Sequence, residues 1–214
     1  MLLEAKNISY RYRQGPWILK EVTLSVGEGE QVGLVGPSGY GKSTLSRILA
    51  GYIKPASGEV LLDGRELPTE GHSPVQLIYQ HPEKAINPLW RMKDILNEGW
   101  VPDQRILDSM GIEPGWLERW PSELSGGELQ RFCIARVLGP KTRFLIADEM
   151  STMLDVITQA QIWELMLRIV EERRMGLIVV THNKALAQNV CTRIISLPEL
   201  NKLNTNAGFP QNEE

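Results

Sequence analysis

Apolar residues along the chain fall into short blocks separated by glycine-, proline- and acid-rich turns. Residues 18–26 alternate apolar and polar side chains (Ile18, Val22, Leu24, Val26), and a period near two predicts strands with one face exposed. The block Gln31-Val32-Gly33-Leu34-Val35-Gly36 is shorter and more evenly apolar. It reads as a buried strand running into a glycine-rich turn. Residues 42–50 predict a helix that stops at Gly51. Residues 59–62 predict a further strand, closed by the Asp63-Gly64 turn, and residues 75–79 another.

The texture changes between about 83 and 137. Prolines (Pro88, Pro102, Pro114, Pro121) and tryptophans (Trp90, Trp100, Trp116, Trp120) gather there, and helical spacing replaces the short apolar blocks. This predicts a helical insertion. The short blocks then return, with strands at 144–147, 177–180 and 193–197 and an amphipathic helix over 156–172. Strands alternating with helices imply an α/β fold whose mostly parallel sheet is covered on both faces. Residues 1–200 form one domain on this reading, and the polar, turn-forming stretch 201–214 is expected to fray.

A length of 214 residues fits one domain, or one domain with a subdomain. Hydrophobic residues at 42% and charged residues at 23% exclude global disorder. A net charge of -3 argues against a protein that wraps nucleic acid, which needs a basic excess. Cys133 and Cys191 cannot build a disulfide framework and lack metal-ligand spacing, so packed, reduced thiols are expected. No apolar run approaches the roughly 18 residues that cross a bilayer. The start, MLLEAKN, has no basic stretch followed by an apolar one, so no signal peptide is expected. The expected location is the cytosol, or something attached to it.

Candidate chemistry begins with Gly36-Pro37-Ser38-Gly39-Tyr40-Gly41-Lys42-Ser43-Thr44, which satisfies G-x-x-x-x-G-K-[ST]. Glycines open backbone conformations that turn successive N–H groups towards phosphate oxygens. The following helix adds the partial positive charge of its N-terminus. Lys42 would reach the β- and γ-phosphates of a bound nucleotide, and Ser43 would coordinate Mg2+. A glycine turn with a surface lysine is the plain alternative, but the motif lies between a predicted strand and a predicted helix, as its mechanism requires. Downstream, the strand Phe144-Leu145-Ile146-Ala147 ends in Asp148-Glu149. Acids at that end of a parallel strand lie where ligands collect. Asp148 would hold Mg2+, and Glu149 would act as general base on the attacking water. Alone, the acid pair could equally be a solvated strand end.

Leu124-Ser125-Gly126-Gly127-Glu128-Leu129-Gln130-Arg131 reads locally as a helix cap with a capping box between Ser125 and Glu128. A cap does not account for two glycines, which weaken a helix but permit close approach of backbone to an anion. This segment matches the signature motif of the ATP-binding cassette family, which the chain resembles over about residues 2 to 198, with every motif in the family's order. The resemblance implies a P-loop NTPase core with an antiparallel β part near the N-terminus and a helical subdomain inserted at about 83–137.

It also implies two cassettes paired head to tail, so that Ser125, Gly126 and Gly127 meet the γ-phosphate in the partner's site. By the same resemblance, Tyr12 stacks on adenine, with Tyr10 a less favoured candidate. Gln80 touches Mg2+ and water, His182 contacts the γ-phosphate, and Asp155 belongs to the loop that crosses to the partner cassette. The segment from Gln80 to Pro88 is similar to that of dipeptide, oligopeptide and nickel importers. The implied protein is an ATP-hydrolysing subunit at the cytoplasmic face of a membrane. Its implied partners are separate transmembrane permease subunits, a second cassette, either itself or a paralogue, and an extracytoplasmic solute-binding protein. Trp90 and Met92 are candidates for a docking face or for subdomain core. Met150 and Met153 depart from the family's usual Pro and Ala, and they alone favour the alternative of a non-hydrolysing or weakly active regulatory nucleotide-binding partner in a heterodimeric cassette pair.

Overall fold

In chain order the computed structural model, which describes residues 1–151 and 154–205, begins with β1 (Leu2–Tyr10), β2 (Leu19–Gly27), β3 (Gln31–Val35), α1 (Lys42–Leu49), β4 (Ser57–Leu62), β5 (Arg65–Glu66) and β6 (Val75–Ile78). It continues with α2 (Met92–Leu96), α3 (Gln104–Ser109), α4 (Gly126–Val137), β7 (Phe144–Asp148), α5 (Val156–Glu172), β8 (Gly176–Thr181), α6 (Lys184–Val190), β9 (Arg193–Ser196) and α7 (Leu197–Leu200). An antiparallel sheet has the order β2-β1-β4-β5, and a parallel sheet the order β6-β7-β8-β3-β9.

The evenly apolar strands are explained by burial on both faces of the parallel sheet. Side chains alternate along each strand. Val32, Leu34, Phe144, Ile146, Ile178 and Val180 pack with α1 and with the inner face of the antiparallel sheet. Leu145, Ala147, Leu177 and Val179 pack instead with α5 and α4. The antiparallel sheet has one dry face, so β2 keeps the alternating pattern that the sequence shows. β1, to which the sequence reading gave no element, lies between β2 and β4.

The predicted insertion is present, but as short pieces. A 3₁₀ turn, Pro82–Lys84, precedes α2, and two more, Pro114–Trp116 and Pro121–Glu123, lie between α3 and α4. Each opens on a proline, which suits a first helical position and breaks a longer helix. α4 also belongs to the core, since Gln130 donates to the Tyr79 carbonyl at 3.5 Å and Arg173 to the Leu138 carbonyl at 2.6 Å. Met92 is fully buried, so it is subdomain core and not part of a docking face. Trp90 and its neighbour Leu89 are exposed, at 41% and 78%. Cys133 is buried and Cys191 half-buried; neither is in a disulfide, and burial pushes both thiols up to about 11.

The expected frayed tail begins too early. Asn201 is buried and a 3₁₀ turn spans Lys202–Thr205. The Asn201 amide bonds the backbone of residues 18 and 20, and this satisfies the burial of a polar side chain. The rest of that stretch, 206–214, lies outside the described residues. Among the described residues, no helix is long and apolar enough to cross a membrane.

The Trp100 indole N–H donates to the Arg136 carbonyl at 2.8 Å and so ties two parts of the insertion together. Trp100→Phe is expected to cost about 1 kcal/mol and to lower the thermal midpoint by roughly 2–4 °C, read by calorimetry. An unchanged midpoint would show that this bond contributes nothing.

Candidate active site

The loop between β3 and α1 depends on glycine at two points. Gly39 and Gly41 have φ of 82° and 91°, which other residues adopt only under strain. A Cβ on Gly41 would also stand 2.7 Å from Ile18 Cγ2. The loop closes over Lys42, which is buried and donates from Nζ to the carbonyls of Gly36 at 2.8 Å and Pro37 at 3.0 Å. Thr44 is buried one turn into α1, and its hydroxyl lies 3.4 Å from that of Tyr12. The Tyr12 ring stands edge-on to Tyr10, with centroids 4.9 Å apart, and is 46% exposed. The turn after β1 is thereby held against the start of α1, with an aromatic ring open to solvent beside it.

The acids arrive from the neighbouring strand. Ser43 donates to Asp148 Oδ1 at 3.1 Å and joins the N-terminus of α1 to the end of β7. Burial raises the Asp148 carboxyl above its ordinary range, and the negative charge of Glu149 adds to this. The Ser43 hydroxyl, Arg47 and Lys42 oppose it. Glu149 has φ of 47°. A non-glycine residue in that region costs about 1–3 kcal/mol and persists where its surroundings fix it. Its N–H is held by the Val180 carbonyl of β8 at 3.0 Å, and its Oε1 lies 3.0 Å from Nδ1 of His182, just beyond that strand.

A cleft of about 310 Å³ gathers these groups. Ser38, Gly39, Gly41, Lys42, Ser43 and Thr44 form its floor, and Gln80, Glu149 and Ile18 its walls. Ligands collect in such crevices at the carboxyl ends of parallel strands. Gly36 stands at the loop's start, and Asp148 and His182 are attached through Ser43 and Glu149.

The other expected site residues lie on a different surface. Ser125 caps α4: its hydroxyl accepts from the Glu128 N–H at 3.3 Å, and Glu128 Oε2 accepts from the Ser125 N–H at 2.6 Å. That backbone bond draws the Glu128 carboxyl below its ordinary range. Asp155 caps α5 by accepting from the N–H groups of Ile157 and Thr158 at 3.1 and 3.0 Å, and the Thr158 bonds draw its carboxyl down. The two caps are neighbours, because a Cβ on Gly127 would lie 3.5 Å from Leu154 and 3.6 Å from Thr158. Among the described residues, nothing stands within 4 Å of a Cβ on Gly126. Val156 and Ile157 extend this surface as exposed apolar residues.

Sequence reasoning missed Ser151. Its buried hydroxyl accepts from Gln159 Nε2 at 2.7 Å and from Trp163 Nε1 at 3.0 Å. The spacing of four places Gln159 and Trp163 on one face of a helix, but no local pattern says which segment that face meets. Met150 is buried in the same core, and Met153 lies outside the described residues.

This arrangement, with a phosphate loop and paired acids on one surface and a glycine-bearing helix cap on another, is that of an ATP-binding cassette. Residues 19–152 match the family model described as ABC transporter, and the chain belongs to that family. A nickel import ATP-binding protein NikE of Rhodospirillum rubrum is 35% identical over 203 residues, covering 85% of this chain and 73% of that one. A nickel import system ATP-binding protein NikE of Staphylococcus aureus (strain MSSA476) is 32% identical over 212 residues, 92% of this chain and 87% of that one. Among solved structures, a dimeric post-hydrolysis state of the ATP-binding cassette MJ0796 bound to ADP and Pi superposes with a TM-score of 0.76 at 28% identity, covering 91% of this chain and 93% of that chain.

Ser151→Ala removes the hydroxyl that accepts from the buried Trp163 indole N–H and from the half-buried Gln159 amide. It is expected to lower the free energy of unfolding by about 1–3 kcal/mol in urea titrations, and Ser151→Thr, which keeps the hydroxyl, by less. Equal losses would assign the effect to packing instead of the hydrogen bonds.

Proposed function

We propose that the chain binds and hydrolyses ATP and powers a membrane importer. The convergence of Lys42, Ser43, Gln80 and Glu149 on one cleft, with His182 on the Glu149 carboxylate, carries this reading. The loop N–H groups and the Lys42 ammonium bind the β- and γ-phosphates. Tyr12, with its hydroxyl near Thr44, offers the ring on which adenine stacks. Ser43 Oγ, Asp148 and the Gln80 side-chain oxygen form a set of hard oxygen donors that fits Mg2+. When held by these residues, Mg2+ would supply positive charge against the negative charge that develops on the phosphates. Glu149 accepts the proton of the attacking water. His182 orients that carboxylate through Nδ1 and adds a contact to the γ-phosphate, where Lys42 stabilises charge.

Ser125, Gly126 and Gly127 complete the partner's site. They lie on another surface of this chain, with the α4 N-terminus able to meet an anion. Asp155, capping the neighbouring helix, fixes the segment that crosses between cassettes. The second cassette is a copy of this chain or a paralogue. Separate permease subunits dock on the exposed side of the insertion, at the cytoplasmic face of the membrane, and a solute-binding protein delivers cargo from the other side. The names of the relatives favour nickel or its complexes as cargo, and peptides are the related class.

The chain with its permease and cassette partners is expected to turn over ATP, and Glu149→Gln to reduce that rate by about 10²–10⁴-fold while ATP binding remains. Turnover unaffected by the substitution would remove Glu149 from the role of base. Absence of turnover in the complete wild-type complex would overturn the hydrolytic reading.

A further inference from the structure

Asn201 lies between α7 and the Lys202–Thr205 turn and is only 4% exposed. Its Oδ1 accepts from the Lys20 N–H at 2.9 Å, and its Nδ2 donates to the Ile18 carbonyl at 2.8 Å. One side chain thus brackets the entry of β2 from more than 180 positions away.

The sheet is irregular at that place. Ile8 pairs with Val22 but Tyr10 with Leu19, and Glu21 has φ of 50°. A bulge disrupts the ladder locally, and buried backbone groups need partners from elsewhere. Asn201 provides two. Lys202 adds a bond to the Glu21 carboxylate at 2.8 Å. Pro198 lies close to Gly36, where an added Cβ would approach its Cδ to 3.0 Å.

What is held there reaches the cleft. Ile18 is one of its walls and abuts Gly41. The turn ending at Ile18 also carries Tyr12. If the cleft is an ATP site, the loop from Gly36 to Thr44 holds the phosphates by its own backbone, and Tyr12 and Ile18, which close the side of the cleft beyond Gly41, meet the adenosine end.

We propose that Asn201 is a positioning residue for the nucleotide. It fixes the adenosine-side wall against the phosphate loop through Ile18, and it contributes to affinity for the nucleoside part of ATP without contributing to affinity for the triphosphate. This rests on the reading of the cleft as an ATP site. The segment around Asn201 is therefore part of the binding apparatus and not a trailing end.

The test is isothermal titration of the full chain with ATP and with inorganic tripolyphosphate. Asn201→Ala is expected to weaken ATP binding about tenfold, as expected for loss of buried hydrogen bonds, and to leave tripolyphosphate binding unchanged. Unchanged ATP binding, or equal loss for both ligands, would overturn the proposal. A wild-type chain that binds no ATP would instead overturn the nucleotide reading itself. Should the variant not fold, amide exchange on the wild type decides. The Lys20 N–H, held by Asn201, is expected to exchange more slowly with ATP bound than with tripolyphosphate bound, and equal rates would contradict the proposal.

Discussion

The hydrogen bond from Ser43 to Asp148 joins residues 105 positions apart and brings the phosphate loop and the acid pair into one site. Both groups are placed by the parallel sheet. β3 delivers the loop, and β7, separated from it by β8, delivers the acids at the same edge. Burial makes the Asp148 charge costly, and the hydroxyl and two nearby cations offset part of that cost. A buried carboxylate held against a serine at a helix N-terminus is poorly solvated, and so is well placed to exchange that bond for a cation. The next residue, Glu149, departs from the strand in a left-handed conformation that aims its carboxylate at His182 and the cleft.

The same architecture divides the chemistry between two surfaces. The cleft gathers Lys42, Ser43, Gln80 and Glu149, while Ser125 and Asp155 cap helices on another face, with Gly126 and Gly127 opening the first of them. Ser151 lies between Glu149 and that face. Its buried hydroxyl is held by α5, whose N-terminus begins at Asp155. The Glu149 carboxylate is therefore two residues from an anchor on the helix that begins at that surface.

The parallel core was legible because strands buried on both faces must be evenly apolar, and such blocks stand out. The phosphate loop and the acid pair were legible because their chemistry is local in sequence. β1 escaped notice because its pattern is interrupted by Lys6 and Asn7, where the ladder shifts register. Asn201 and Ser151 were illegible for a different reason. A single polar residue in a polar stretch is silent until the fold brings its partners to it, and those of Asn201 lie at the far end of the chain. The insertion was legible as helical, but its division by Pro82, Pro114 and Pro121 into short turns was not. The position of Met92 could not be told from that of Trp90, since spacing alone does not say which apolar residue faces inward.

We propose Asp148, held by Ser43, as the anionic group through which Mg2+ strengthens ATP binding. Calorimetric titration of ATP, with and without Mg2+, into the wild type and Asp148→Asn tests it directly. The asparagine keeps the shape and a hydrogen-bonding oxygen but removes the charge. The wild type should bind ATP more tightly when Mg2+ is present, and Asp148→Asn should lose most of that gain. A variant that retained the full gain from Mg2+ would contradict the account.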